Sequence, residues 1–189
     1  MQGTGDGPER GSDVAARAPA AGSVASSQTP AVGPVRGDES LMCEKAHGSS
    51  AVRLQLRLRW GCEQAMAERL CNFNRGEAEP FGAFRAGGFV EELQRAGRDG
   101  AAALDFFDSN SGALLFRAPR GRTCANFLKE CKAQGRLSFR DAEVNWGRVR
   151  LLHDGEVVSI DGTHCGQNLP DGFGNRYCVN LVSVAGSPV

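Results

Sequence analysis

The 189 residues are 41% hydrophobic and 23% charged, enough for one ordinary globular domain with a tail and too little for a second large core. Lys and Arg number 22 and Asp and Glu also 22, so no global field would hold the chain on nucleic acid or an anionic membrane, and neither is expected as a partner. The seven cysteines (Cys43, Cys62, Cys71, Cys124, Cys131, Cys165 and Cys178) form no pair separated by two residues, which points to free thiols in a reducing compartment rather than disulfide staples or a zinc site.

Residues 1–50 are dominated by Gly, Ala, Ser, Pro and Val without helical or strand periodicity, the composition of a disordered tail. The start of the chain has no apolar signal-type core, and Asp6, Glu9 and Asp13 are unlike an acid-poor transit peptide. No run approaches the roughly 18 apolar residues of a bilayer span, so the expectation is a soluble, cytoplasmic protein.

An ordered α+β extension is expected over 51–100. Val52, Leu54, Leu56, Leu58 and Trp60 alternate with polar residues, as in a strand with one buried face. Residues 62–73 predict a helix with Ala65, Met66, Leu70 and Phe73 inward, and Phe89 to Arg95 predict a second. A long loop joins them, with Phe81, Phe84 and Phe89 expected in a small satellite cluster.

From residue 101 the chain reads as a mainly β domain of antiparallel sheets with few short helices. A hairpin is predicted over 102–118 around the tip Asp108 to Gly112, then a helix from an N-cap at Thr123 to about Ala133 with Gly135 after it. Arg117, Arg120 and Arg122 read as a solvated basic patch. A second hairpin pairs Asn145 to Leu152 with Glu156 to Asp161 across His153-Asp154-Gly155, and a final strand runs from Arg176 to Val184, where alternation puts Cys178 and Asn180 on one face.

Three segments carry chemistry, in this order: Gly135-Arg-Leu-Ser-Phe139, Gly162-Thr-His-Cys-Gly-Gln-Asn-Leu-Pro-Asp171 and Asn175-Arg-Tyr-Cys-Val-Asn180. Taken singly, Cys178 would be an inert core thiol and His164 an ordinary loop histidine. Together the segments resemble the methionine-R-sulfoxide reductase family, whose motifs run approximately GWPSF, GxHLGHxFxD and RYCxN, and the resemblance spans about Phe106 to Ala185.

That resemblance implies a β-tent-like fold over 101–189 and thiol-dependent reduction of methionine-R-sulfoxide, free or in proteins, to methionine. Cys178 is then the nucleophile and His164 the proton source, while Arg176 favours the thiolate. Asn180, Asp171, Gln167 and Phe139 orient substrate and catalytic groups. Cys165 or Cys131 serves as a resolving thiol, or a thioredoxin-type reductant acts on Cys178 directly.

No cofactor is implied, and the zinc-holding CxxC pairs of other members are absent: Asp108, Ser111, Val158 and Asp161 occupy those positions. Three further departures touch the site. Arg136 stands where the family has tryptophan, Gln167 where it has a second histidine, and Gln134 where its usual resolving cysteine lies. They keep open an impaired reductase-like domain that binds a protein partner, or a thiol redox sensor using Cys178 and Cys165.

Overall fold

The computed structural model describes residues 33–100 and 103–189. Strands β1 (Leu104–Phe107) and β2 (Leu114–Ala118) make a two-stranded sheet. Strands β3 (Leu137–Phe139), β4 (Val149–Leu151), β5 (Glu156–Ser159), β6 (His164–Asn168) and β7 (Tyr177–Val179) make a five-stranded sheet in the order β3-β7-β6-β5-β4. Every pairing between these seven strands is antiparallel. With three short α-helices, α1 (Gln64–Glu68), α2 (Phe89–Arg98) and α3 (Cys124–Gln134), this is the mainly β, antiparallel architecture expected from the turn and alternation pattern.

The local signals behave as their chemistry requires. Thr123 accepts the Asn126 amide at 3.1 Å to start α3, and Gly135, at φ 70°, ends it in the left-handed conformation that a side chain resists. Gly155, at φ 90°, turns β4 into β5.

The five-stranded sheet has two unlike faces. Leu137, Val179, Val157 and Leu151 face the main core, together with Phe139 and Tyr177. There they meet Phe106, Leu115 and Phe116 of the small sheet, Phe89 and Leu93 of α2 and Phe127 of α3. Phe139 lies at the centre, stacked on Phe116 with centroids 4.3 Å apart and edge-on to Phe106 at 5.0 Å. The opposite face carries the polar residues described below.

The N-terminal part departs from expectation in three places. Residues 1–32 of the expected tail lie outside the described residues, whereas from 35 onward the chain pairs along β4: Leu151 N donates to Val35 O (2.9 Å) and Gly37 N to Leu151 O (3.1 Å). Met42 packs on Leu152 and Val158, so order begins before residue 51.

No strand forms over 52–60. The segment instead makes isolated backbone bonds, Gln55 N to Ser109 O and Arg59 N to Ala185 O. Leu56 is 92% exposed and Trp60 takes φ 59°, so the alternation reflects separate anchoring of Leu54 and Trp60 rather than a sheet edge.

The helix after it continues from α1 as a π-turn over Arg69–Phe73, with Asn74 N bonded to Arg69 O. The wider turn rotates the buried face to Ala67, Leu70 and Cys71 and leaves Phe73 exposed. Phe84 and Phe89 join the main core rather than a satellite, while Phe81 is mostly exposed. The extension and the C-terminal half therefore share one core. Arg122 is not solvated either: it is clamped to Glu143 and Glu130. No helix among the described residues is long and apolar enough to cross a membrane.

Candidate functional site

On the face away from the core, strand register builds a row of four side chains. Ser138 of β3 pairs with Cys178 of β7, Cys178 with Gln167 of β6, and Gln167 with Glu156 of β5. Directly paired residues project to the same side of a sheet, so thiol, amide and carboxylate stand in line. His164 joins them because a bulge at Val157/Val158 pairs it with Val158, two residues beyond Glu156 and on its face.

Cys178 is 6% exposed, and Arg176 Nη1 lies 2.7 Å from its Sγ. The guanidinium therefore donates directly to the sulfur. Arg176 is in turn positioned by Asp171, whose carboxylate is 3.4 Å from its Nε. Asp171 takes a two-pronged contact from Arg140, both distances 2.9 Å, and the Phe173 amide. Arg140 first, then that amide, hold the Asp171 carboxyl down at about 2, so it stays ionised.

The second chain of contacts ends at the imidazole. His164 Nδ1 lies 2.6 Å from Glu156 Oε1, and Glu156 accepts Arg75 Nε at 3.0 and 3.1 Å. Burial pushes the Glu156 carboxyl up, but the His164 and Arg75 hydrogen bonds outweigh it and keep it below the ordinary carboxylate range. A carboxylate on Nδ1 fixes the ring and leaves Nε2 to move a proton. Sequence reasoning missed both Glu156 and Arg75. Arg75 lies 81 residues from Glu156 along the chain, and only the hairpin register brings Glu156 onto the thiol's face.

The remaining expected residues divide. Gln167 neighbours Cys178 in the row and donates from Nε2 to Asp154 O at 2.8 Å. Asn180 follows β7, its Oδ1 accepting the Glu79 amide at 3.0 Å. Phe139 is on the other face, inside the aromatic core, and touches neither thiol nor imidazole row. Cys165 and Cys131 are also core residues: Cys165 is the extra residue of the bulge and turns inward, and Cys131 accepts the Ser138 amide at 3.4 Å. Burial raises both thiols, Cys131 to about 12, which deprives them of the thiolate character that resolution needs. His164, which taken singly would be a loop histidine, instead opens a strand, His164–Asn168, paired on both sides.

The positions aligned with the family's zinc ligands do not fit a thiolate site. Ser111 Oγ donates to Asp161 Oδ2 at 2.7 Å and Thr163 Oγ1 to Asp108 Oδ1 at 2.8 Å, while Val158 packs on Met42. Direct hydrogen bonds tie the two hairpins here. Among the described residues no cluster of three His, Cys, Asp or Glu is arranged for a metal ion.

Gly166 of β6 positions the thiol by what it lacks. A Cβ there would fall on the Cys178 carbonyl oxygen and inside contact with Val179 Cα. Gly166→Ala is expected to force β6 and β7 apart and cost about 1–3 kcal/mol, measurable as a lowered urea midpoint.

Comparison with protein-family models, with curated proteins and with solved structures gave no match to this chain.

Proposed function

We propose that this protein reduces methionine-R-sulfoxide to methionine, with Cys178 as nucleophile. The observation that carries the reading is the row itself: a thiol contacted by Arg176, in register with Gln167 and with Glu156, which holds His164. The Cys178 thiolate attacks the sulfoxide sulfur and the oxygen takes a proton by way of His164; the hydroxyl then passes from the substrate sulfur to the Cys178 sulfur as the S–S and substrate S–O bonds break, leaving a sulfenic acid on Cys178 and releasing methionine. Two electrons from an external dithiol of the thioredoxin type then reduce the sulfenic acid to thiol and water. Direct reduction is favoured over an internal resolving step, since Cys165 and Cys131 face the core. Seven free cysteines suit a reducing, cytoplasmic setting.

The test omits reductant. Wild type incubated with methionine-R-sulfoxide should release one equivalent of methionine and leave a sulfenic acid that dimedone traps at Cys178. Methionine release with the adduct on another cysteine, or no release, would overturn the assignment.

A second reading, a reductase-like domain that binds without turnover, draws on the 6% exposure of Cys178 and on Gln167, which cannot act as an acid near neutral pH. It predicts sulfoxide binding unaffected by Cys178→Ser. A redox sensor built on Cys178 and Cys165 is disfavoured by their positions on opposite sides of the sheet.

A further inference from the structure

Several arginines around this sheet are matched to carboxylates. Arg75 meets Glu156 and Glu39, Arg122 meets Glu130 and Glu143, Arg140 meets Glu130 and Asp171, and Arg176 meets Asp171. Arg136, half-buried immediately before β3, is in no ion pair among the described residues. Its Nη2 donates to the Glu79 main-chain oxygen at 2.8 Å, and its Nε is buried without an acceptor. A second, independent orphan lies beside it. Asn180 is 1% exposed, and because its Oδ1 accepts the Glu79 amide at 3.0 Å, its amide orientation is fixed and Nδ2 is left buried with no acceptor.

Both orphan donors border Glu79, at the end of β7 two residues beyond Cys178. The Glu79 carboxyl accepts the Leu181 and Val182 amides and lies near the Arg136 charge, but neither orphan N–H donates to it. Two buried N–H donors without an acceptor, one of them on a guanidinium, call for a group that only accepts hydrogen bonds, and a carboxylate does so with charge assistance. Gln, Asn and hydroxyl ligands bring donors of their own.

We propose that Arg136 and Asn180 form a carboxylate-binding subsite beside Cys178, through which the enzyme holds methionine sulfoxide by a carboxylate close to its sulfur. The proposal rests on the reductase reading above. Alternate residues on a strand face lie about 7 Å apart, comparable to one methionine side chain, so the thiol and the subsite engage the sulfur and the carboxylate of one molecule. That carboxylate is either the α-carboxylate of the free amino acid or the side chain of an acidic neighbour in a peptide.

Four substrates separate the cases in dithiothreitol-driven assays: free methionine-R-sulfoxide, its N-acetyl amide, and N-acetyl methionine-R-sulfoxide dipeptide amides ending in Asp or Asn. Wild type should prefer carboxylate-bearing substrates by about 10- to 100-fold in kcat/KM, the range of a charge-assisted hydrogen bond, chiefly through KM. Arg136→Met and Asn180→Ala should shrink that ratio toward unity. Preference for the free amino acid over its amide identifies the α-carboxylate, and preference for Asp over Asn identifies an acidic neighbour. Equal kcat/KM for all four in wild type overturns the subsite and leaves the reductase reading standing. Absence of turnover with every substrate overturns the reductase reading. Calorimetric titration of Cys178→Ser with the same compounds then decides the subsite: carboxylate-selective binding that Arg136→Met removes sustains it, and unselective or absent binding overturns it.

Discussion

Glu156→Ala is expected to lower turnover of methionine-R-sulfoxide by about 100-fold or more, the scale of a lost general acid, although residue 156 touches no substrate. Glu156 is the only partner of the His164 Nδ1 among the described residues, and without it the imidazole loses the contact that orients it. Arg75 simultaneously loses one of its two carboxylates. Leaving buried polar groups unpaired should also cost at least about 1–3 kcal/mol of stability, so rates must be measured on folded protein and normalised by circular dichroism.

Glu156→Gln separates the two effects, since it keeps a hydrogen-bonding group and removes the charge. The acid limb follows the same geometry. Glu156 sits below its ordinary value near 4.5, so its ionised pair contributes stability above that value and loses it as pH falls through the lower, folded-state value. Wild type should therefore lose more stability than Glu156→Gln on acidification below about pH 4.5. A turnover rate in Glu156→Ala within a few fold of wild type would remove the His164 relay from the mechanism.

Phe139→Ala is expected to destabilise the protein by about 3–5 kcal/mol, read as a shift of the urea midpoint with little change in slope. Its ring is fully buried, stacked on Phe116 and 5.5 Å from the Phe127 centroid, so truncation opens a cavity that three aromatic neighbours and strand pairing cannot close. Stabilities near wild type would show that the aromatic cluster relaxes into the space. The same variant checks the face assignment: activity per folded molecule should be retained within a few fold, because Phe139 lies across the sheet from Cys178.

Elements with a local cause could be seen in the residues alone. The Asp154-Gly155 turn, the Thr123 cap, the Gly135 terminator and the 104–118 hairpin each follow from backbone preferences within a few positions. The segment at 164–168 could not, since Gly166 and Asn168 are poor strand formers and pairing with β5 and β7 overrides their propensity. Val52 to Trp60 erred in the other direction, because alternation without a partner strand makes no sheet.

The site divides along the same line. Cys178, Arg176 and His164 stand in short motifs, and the contact between Arg176 and the thiol needs only the i, i+2 geometry of a strand. Glu156, Arg75 and Glu79 arrive from distant segments, and nothing adjacent to Arg75 or Glu79 in the chain marks a role. A carboxylate opening the strand after an Asp-Gly turn was the one available signal for Glu156. Phe139 sits in a motif and so was expected at the substrate, but strand alternation separates it from Ser138, the residue that does pair with the thiol.

The most direct test of the central claim is steady-state reduction of dabsylated methionine sulfoxide with dithiothreitol, run separately on the R and S epimers for wild type and Cys178→Ser. R-selective turnover that the serine variant lacks is the expected result. Equal rates on both epimers, or turnover that survives in Cys178→Ser, would contradict it.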